Sequence, residues 1–125
     1  MGGLKDLSAP TLGKAAAMGA LSACQVDPKE IEEVYMGCVL QGGVGQAPAR
    51  QVALGCEMGP DTPSTTINKV CASGMKSAMM AAQAIRLGDR QIMLAGGMEA
   101  MSKTPHYQYL RSATSFGNAT AIDSI

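Results

Sequence analysis

The 125 residues carry ten basic and ten acidic side chains with no basic cluster among aromatics, which excludes the electrostatic footprint of a nucleic-acid binder. No apolar run approaches the ~18 to 20 residues of a bilayer span, and Met1 to Asp6 lack the apolar region of a secretory signal, so the chain reads as soluble with no membrane partner. Four cysteines without a Cys-x-x-Cys pair, and a single histidine, argue against structural zinc or a disulfide framework and for a reducing compartment.

Hydrophobic residues make up 46% of the chain but are largely Ala and Met, with three Tyr, one Phe and no Trp. Such layers pack closely through small side chains, with Met bending into the remaining gaps. That composition suits a helix enclosed between sheets.

A first helix is expected from about Thr11 to Cys24, with Ser8 or Thr11 as cap and Pro10 near its first turn. Gly13 and Gly19 weaken it, which only close packing would justify. Asp27-Pro28 then opens a short acidic turn, Lys29 to Glu32, and Glu30, Glu32 and Glu33 read as solvated. Residues Glu33 to Leu40 favour a pleated, half-buried strand.

Gln41 to Gln46 is a glycine-rich turn, and Pro48 starts a second helix running toward Cys56. Gly59 to Pro63 stops that helix. The β-branched cluster Thr65 to Val70 is the next strand and ends at Cys71. From about Ala72 to Leu87 the pattern predicts a third helix, with Met75, Ala78, Met79, Ala82 and Ile85 on one apolar face and Gly88 ending it. Gln91 to Ala95 reads as a buried strand broken by Gly96-Gly97, and residues 98–125 show no sustained period. Strands alternating with helices imply an α/β fold, a parallel or mixed sheet with helices on both faces.

Gly42 to Pro48 lies where a phosphate loop could sit, but Pro48 occupies the place of the third glycine of a dinucleotide fingerprint and no Gly-Lys-Ser/Thr follows. A tight structural turn is the expectation there. Cys71 is the stronger candidate. A thiol where a strand gives way to a helix lies near the positive end of the helix dipole, which favours the nucleophilic thiolate. Gly74 keeps bulk away, and first-turn N–H groups are free to bind an oxyanion. A buried structural cysteine is the alternative that local physics leaves open. Cys24, Cys38 and Cys56 lack the favourable dipole, His106 reads as a surface residue, and the ten methionines read as core filling rather than a metal box.

Three blocks then carry a resemblance: Val34 to Gln51, with Met36-Gly37-Cys38 and Gly42-Gly43-Val44-Gly45-Gln46-Ala47-Pro48; Thr65 to Lys76, with Asn68-Lys69-Val70-Cys71-Ala72-Ser73-Gly74; and Ala95 to Ser102. In order and spacing they resemble the thiolases, particularly the acetoacetyl-CoA thiolases (acetyl-CoA C-acetyltransferases). The resemblance implies that Cys71 attacks acetyl-CoA and carries the acetyl group, its backbone N–H helping to hold the oxyanion. A second acetyl-CoA then condenses with that acetyl group to give acetoacetyl-CoA; thiolysis is the reverse. No metal or redox cofactor is implied, and CoA thioester is the substrate.

The resemblance further implies residues 1–104 as a partial N-terminal domain without its first strand and residues 105–125 as the start of a loop domain. It implies a homo-oligomer pairing through Thr65 to Val70, and a mitochondrial or cytoplasmic location with the mitochondrial one favoured. Segments matching the family's Asn-Glu-Ala-Phe, Gly-His-Pro and second-cysteine motifs are absent from these residues, so little or no condensation is expected of this chain alone. Cys38 stands where the family usually has Asn, and Ala100 where it usually has a polar residue or Ser. A non-catalytic dimerising or binding module and a longer-chain 3-ketoacyl-CoA thiolase are the alternative readings.

Overall fold

The computed structural model describes residues 2–111 and 116–125. Helix α1, Ala9–Cys24, starts where Ser8 accepts the Thr11 N–H at 3.3 Å, and ends with Gln25 in the left-handed region donating to Leu21 and Ser22 carbonyls. Its buried positions Ala9, Gly13, Ala17 and Leu21 recur every fourth residue, as a single packed stripe requires. Gly13 has the steric reason its sequence context demanded: a Cβ there would lie 2.6 Å from Met98 Sδ and 2.9 Å from Val52 Cγ2. Gly19 has none, since nothing lies within 4 Å of the corresponding point.

The acidic turn is a 3-10 turn, Pro28–Glu30, closed by a capping box in which Asp27 accepts the Lys29 N–H and Glu30 accepts the Asp27 N–H, both at 2.9 Å. Glu30, Glu32 and Glu33 are therefore not a merely solvated face. Glu30 caps, Glu32 accepts the Gln91 N–H at 2.6 Å, and Glu33 pairs with Arg90 at 3.0 Å.

Strand β1, Glu33–Gly37, is central in a three-stranded parallel sheet of order β2-β1-β3, with β2 spanning Ser64–Ile67 and β3 spanning Met93–Gly97. The expected strands were each longer or displaced. β1 stops at Gly37 and β2 at Ile67, whereas Gly96 and Gly97 continue β3 instead of breaking it, paired with Met36 and Gly37. Helix α2, Pro48–Gly55, has no side-chain cap of its own; Thr66 of β2 accepts the Ala49 N–H at 2.9 Å in its place.

Helices α1 and α2 cover one face of the sheet through a core of Val34, Met36, Val52, Ala53, Cys56, Met58 and Met98. Helix α3, Ser73–Leu87, covers the other face, in contact with all three strands. The side it turns to the sheet is not the one that the apolar spacing predicts. Ser73, Ser77 and Ala81 are buried, while Met75, Met79 and Ile85 are exposed. Small residues are needed beneath α3 because Gly37, Gly74 and Gly97 bring backbones to within van der Waals distance there. The methionines divide likewise: Met36, Met58 and Met98 fill the core, and Met18, Met75, Met79 and Met101 face outward. Beyond the sheet, β4, His106–Tyr107, and β5, Ile122–Asp123, form a separate antiparallel pair. Among the described residues no helix is long and apolar enough to cross a membrane.

Candidate active site

Parallel pairing in register sets the C-terminal ends of the three strands side by side, with Gly37 opposite both Ile67 and Gly97. The chain leaves β1 toward β2 on one side and later returns to β3 on the other, so β1 marks the point where the strand order reverses. Ligands of open α/β sheets bind in the crevice outside the carboxyl ends at such a point. A mainly apolar pocket of about 490 Å³ lies there, bounded by Gly37, Val39 and Leu40 after β1, Val70, Cys71 and Gly74 after β2, and Gly97 and Glu99 after β3.

Cys71 is exposed at this pocket, two residues before the first residue of α3. Among the described residues no side chain caps α3, which leaves the first-turn amide of Gly74, a residue of the pocket lining, without a side-chain acceptor. The turn carrying Cys71 is unusual in its backbone. Val70 has φ of 49°, and for a β-branched residue the left-handed region costs on the order of 1–3 kcal/mol. Several bonds hold it there. Asn68 Oδ1 accepts the Val70 N–H at 3.0 Å, and Ser73 Oγ donates to the Val70 carbonyl at 2.6 Å while accepting the Lys69 N–H at 2.8 Å. The Ser73 N–H also donates to the Val70 carbonyl at 3.1 Å, and that of Ala72 to the Lys69 carbonyl.

Glu99 builds the opposite wall, a role that nothing in its local sequence indicates. Its carboxylate accepts the Val39 and Leu40 N–H groups, each at 2.9 Å, and faces the Cys38 thiol at 3.7 Å. The Met98 N–H donates to the Gly37 carbonyl at 2.9 Å, so the exits of β1 and β3 are tied together. Cys38 is fully buried; burial, and then the charge and hydrogen bond of Glu99, push its thiol up to about 11. Cys56 is also buried and its thiol is raised by that burial, whereas Cys24 is exposed at the end of α1. Of the four thiols, only Cys71 opens onto the pocket.

The remaining candidates lie elsewhere. The Gly42 to Pro48 loop is a structural turn, with Gly43, Gly45 and Ala47 at positive φ and Gln51 Nε2 donating to the Val44 and Gln46 carbonyls at 3.0 and 2.8 Å. His106 is exposed in β4 and is not part of the pocket lining. Among the described residues no group of three or more His, Cys, Asp or Glu side chains is placed to hold a metal ion.

Comparison with known proteins bears on this geometry. The chain is 49% identical over 125 residues to the mitochondrial acetyl-CoA acetyltransferase of Mus musculus, and 51% identical over 124 residues to that of Xenopus tropicalis. These alignments cover 100% and 99% of the chain but 29% of either relative, so the chain spans about three tenths of their length. The crystal structure of the Acat5 thiolase from Ascaris suum in complex with coenzyme A superposes with a TM-score of 0.93 at 39% identity, over 98% of this chain and 32% of that one. The whole sequence, residues 1–125, matches the family described as the thiolase N-terminal domain. A thiol on a held strand-to-helix turn, the fold around it and these matches agree: the chain belongs to the thiolase family.

Proposed function

We propose that Cys71 is the acyl-accepting nucleophile of a CoA-dependent acetyltransferase, and that these residues supply the acyl-carrier half of its active site. The observation that carries the reading is the exposure of Cys71 at the apolar pocket between the strand exits, beside the uncapped first turn of α3. The Cys71 thiolate attacks the thioester carbonyl of acetyl-CoA. The oxyanion of the tetrahedral intermediate is held by backbone N–H groups, that of Cys71 among them, and collapses to expel the CoA thiolate, which takes up a proton. Acetyl-Cys71 remains. The α-carbanion of a second acetyl-CoA then attacks the acetyl carbonyl, forming the new carbon–carbon bond and releasing Cys71 as thiolate with acetoacetyl-CoA as product.

The groups that deprotonate the thiol and the second acetyl-CoA belong, by the family resemblance, to segments outside these 125 residues. Groups acting as a unit are strongly non-additive, so this chain alone is expected to stop at acetyl-Cys71. The mitochondrial relatives support a mitochondrial setting for the full protein.

Residues 1–104 form the partial N-terminal domain in this reading, and 105–125 the start of a loop domain. The separate β4–β5 pair supports that division. Pairing of two copies through the segment Thr65 to Val70 is supported by the position of β2, which among the described residues pairs with β1 alone and has exposed Thr65 on it. Incubation of the chain with acetyl-CoA, followed by intact mass, tests the chemistry. A single acetyl adduct that disappears in Cys71→Ser is expected, and its absence from the unsubstituted chain sinks the reading.

A further inference from the structure

We infer that Asn68 is a positioning residue for Cys71, holding Val70 in its left-handed conformation so that the thiol stays beside the first turn of α3. The inference rests on the reading of Cys71 as nucleophile and adds a residue to it. Val70 cannot keep φ of 49° on its own preferences, because its branched Cβ crowds the backbone there. The Val70 carbonyl is fixed by Ser73, within the helix start itself, but among the described residues the Val70 N–H is bound by the Asn68 side chain alone, at 3.0 Å.

Asn68 is in turn oriented from the other wall of the pocket. Its Nδ2 faces the Val39 carbonyl at 3.5 Å, and the Val39 N–H is bound by Glu99 Oε2 at 2.9 Å. A continuous run of polar contacts thus passes from Glu99, after β3, through Val39, after β1, to Asn68 and the amide of Val70, the residue before Cys71. Without the Asn68 acceptor, relaxation of Val70 to negative φ turns Cys71 away from the start of α3, beside which it lines the pocket with Gly74. A thiol moved off a helix start reacts more slowly with an alkylating agent.

The rate of Cys71 alkylation by iodoacetamide at about pH 7, read by peptide mass on the folded chain, tests this without relying on any reaction with CoA. Asn68→Ala is expected to slow alkylation roughly threefold or more, as loss of a helix-terminus interaction would. Asn68→Ser, whose hydroxyl accepts from the second following N–H more weakly, is expected to stay within roughly twofold of the unsubstituted chain. Val70→Gly removes the conformational strain, so in that background Asn68→Ala is expected to have an effect of less than about twofold.

A general loosening of the turn would be worsened by glycine, so rescue separates positioning from a merely structural role. An unchanged rate in Asn68→Ala overturns the inference. So does a slowing that persists in Asn68→Ala/Val70→Gly relative to Val70→Gly alone, and this second comparison decides the matter if Asn68→Ala does not fold. Failure of the acetyl adduct to form, with the alkylation pattern as described, sinks the acyl-carrier reading and leaves the positioning of Cys71 intact.

Discussion

A Cβ on Gly37 would lie 2.5 Å from the carbonyl carbon of Ser73 and 2.6 Å from the amide nitrogen of Gly74, so the end of β1 and the start of α3 meet backbone to backbone. Neither obstructing atom can rotate away, and both lie just after Cys71 in the chain. Gly37→Ala is therefore expected to push the first turn of α3 off the sheet, at a cost of roughly 1–3 kcal/mol in urea unfolding. Gly13→Ala is the comparison: its Cβ meets the side chains of Met98 and Val52, of which the methionine can bend aside. Its loss is expected to be the smaller. Equal losses would show that the β1–α3 contact is no tighter than an ordinary side-chain contact.

The alternation of strands and helices was legible because its signals are local. Ser8 caps α1, Asp27-Pro28 opens the capped turn, Gly88 ends α3, and the β-branched run through Thr65 and Thr66 forms β2. The place of Cys71 in the fold was legible for the same reason, since it lies where a strand pattern changes to a helix pattern. The arrangement around it was not. Glu99 bonds to residues 59 and 60 positions away, and no periodicity encodes such a pairing. Nor does periodicity say which of two stripes on a helix meets the sheet: on α3 the spacing of Met75 and Met79 is helical, but the close approach of glycine backbones selects Ser73, Ser77 and Ala81.

That outward stripe gives a second prediction. Met75 and Met79, one turn apart on α3, are exposed at 71 and 52% and set two large apolar side chains side by side on its outer face. Met75→Glu with Met79→Lys is expected to change unfolding free energy by no more than about 0.5 kcal/mol per site, as surface substitutions do, while reducing self-association in light scattering. A loss of several kcal/mol would place these side chains in a packed interface of the folded chain.

Burial also sorts the thiols. Cys24 and Cys71 are exposed, Cys38 and Cys56 buried. Iodoacetamide at about pH 8 is expected to label the first two in the native chain and all four after denaturation in urea, because a buried thiol held protonated offers no accessible thiolate. Peptide mapping checks this, and native labelling of Cys38 at a rate near that of Cys71 would contradict the closed wall that Glu99 forms.

Cys38 finally predicts how stability responds to alkali. Its thiol is raised from an ordinary 9.0 to about 11, first by burial and then by the Glu99 charge and hydrogen bond, so the folded chain keeps a proton that the unfolded chain releases above about pH 9. Stability falls with pH wherever the unfolded state binds fewer protons, so the contribution is whole below about pH 9 and is lost as pH rises toward about 11. Tyr35 is raised by burial and by Glu33, and Cys56 by burial, so both add to the alkaline loss in the same direction. Cys38→Ala removes one of these contributions. It is expected to lower stability near neutral pH through the methyl-sized cavity it leaves, yet to show a shallower decline than the unsubstituted chain across the window from about pH 9 to about pH 11. Urea unfolding of both chains at several pH values within that window measures the two slopes, and identical slopes would mean that the Cys38 thiol does not hold its proton in the folded state.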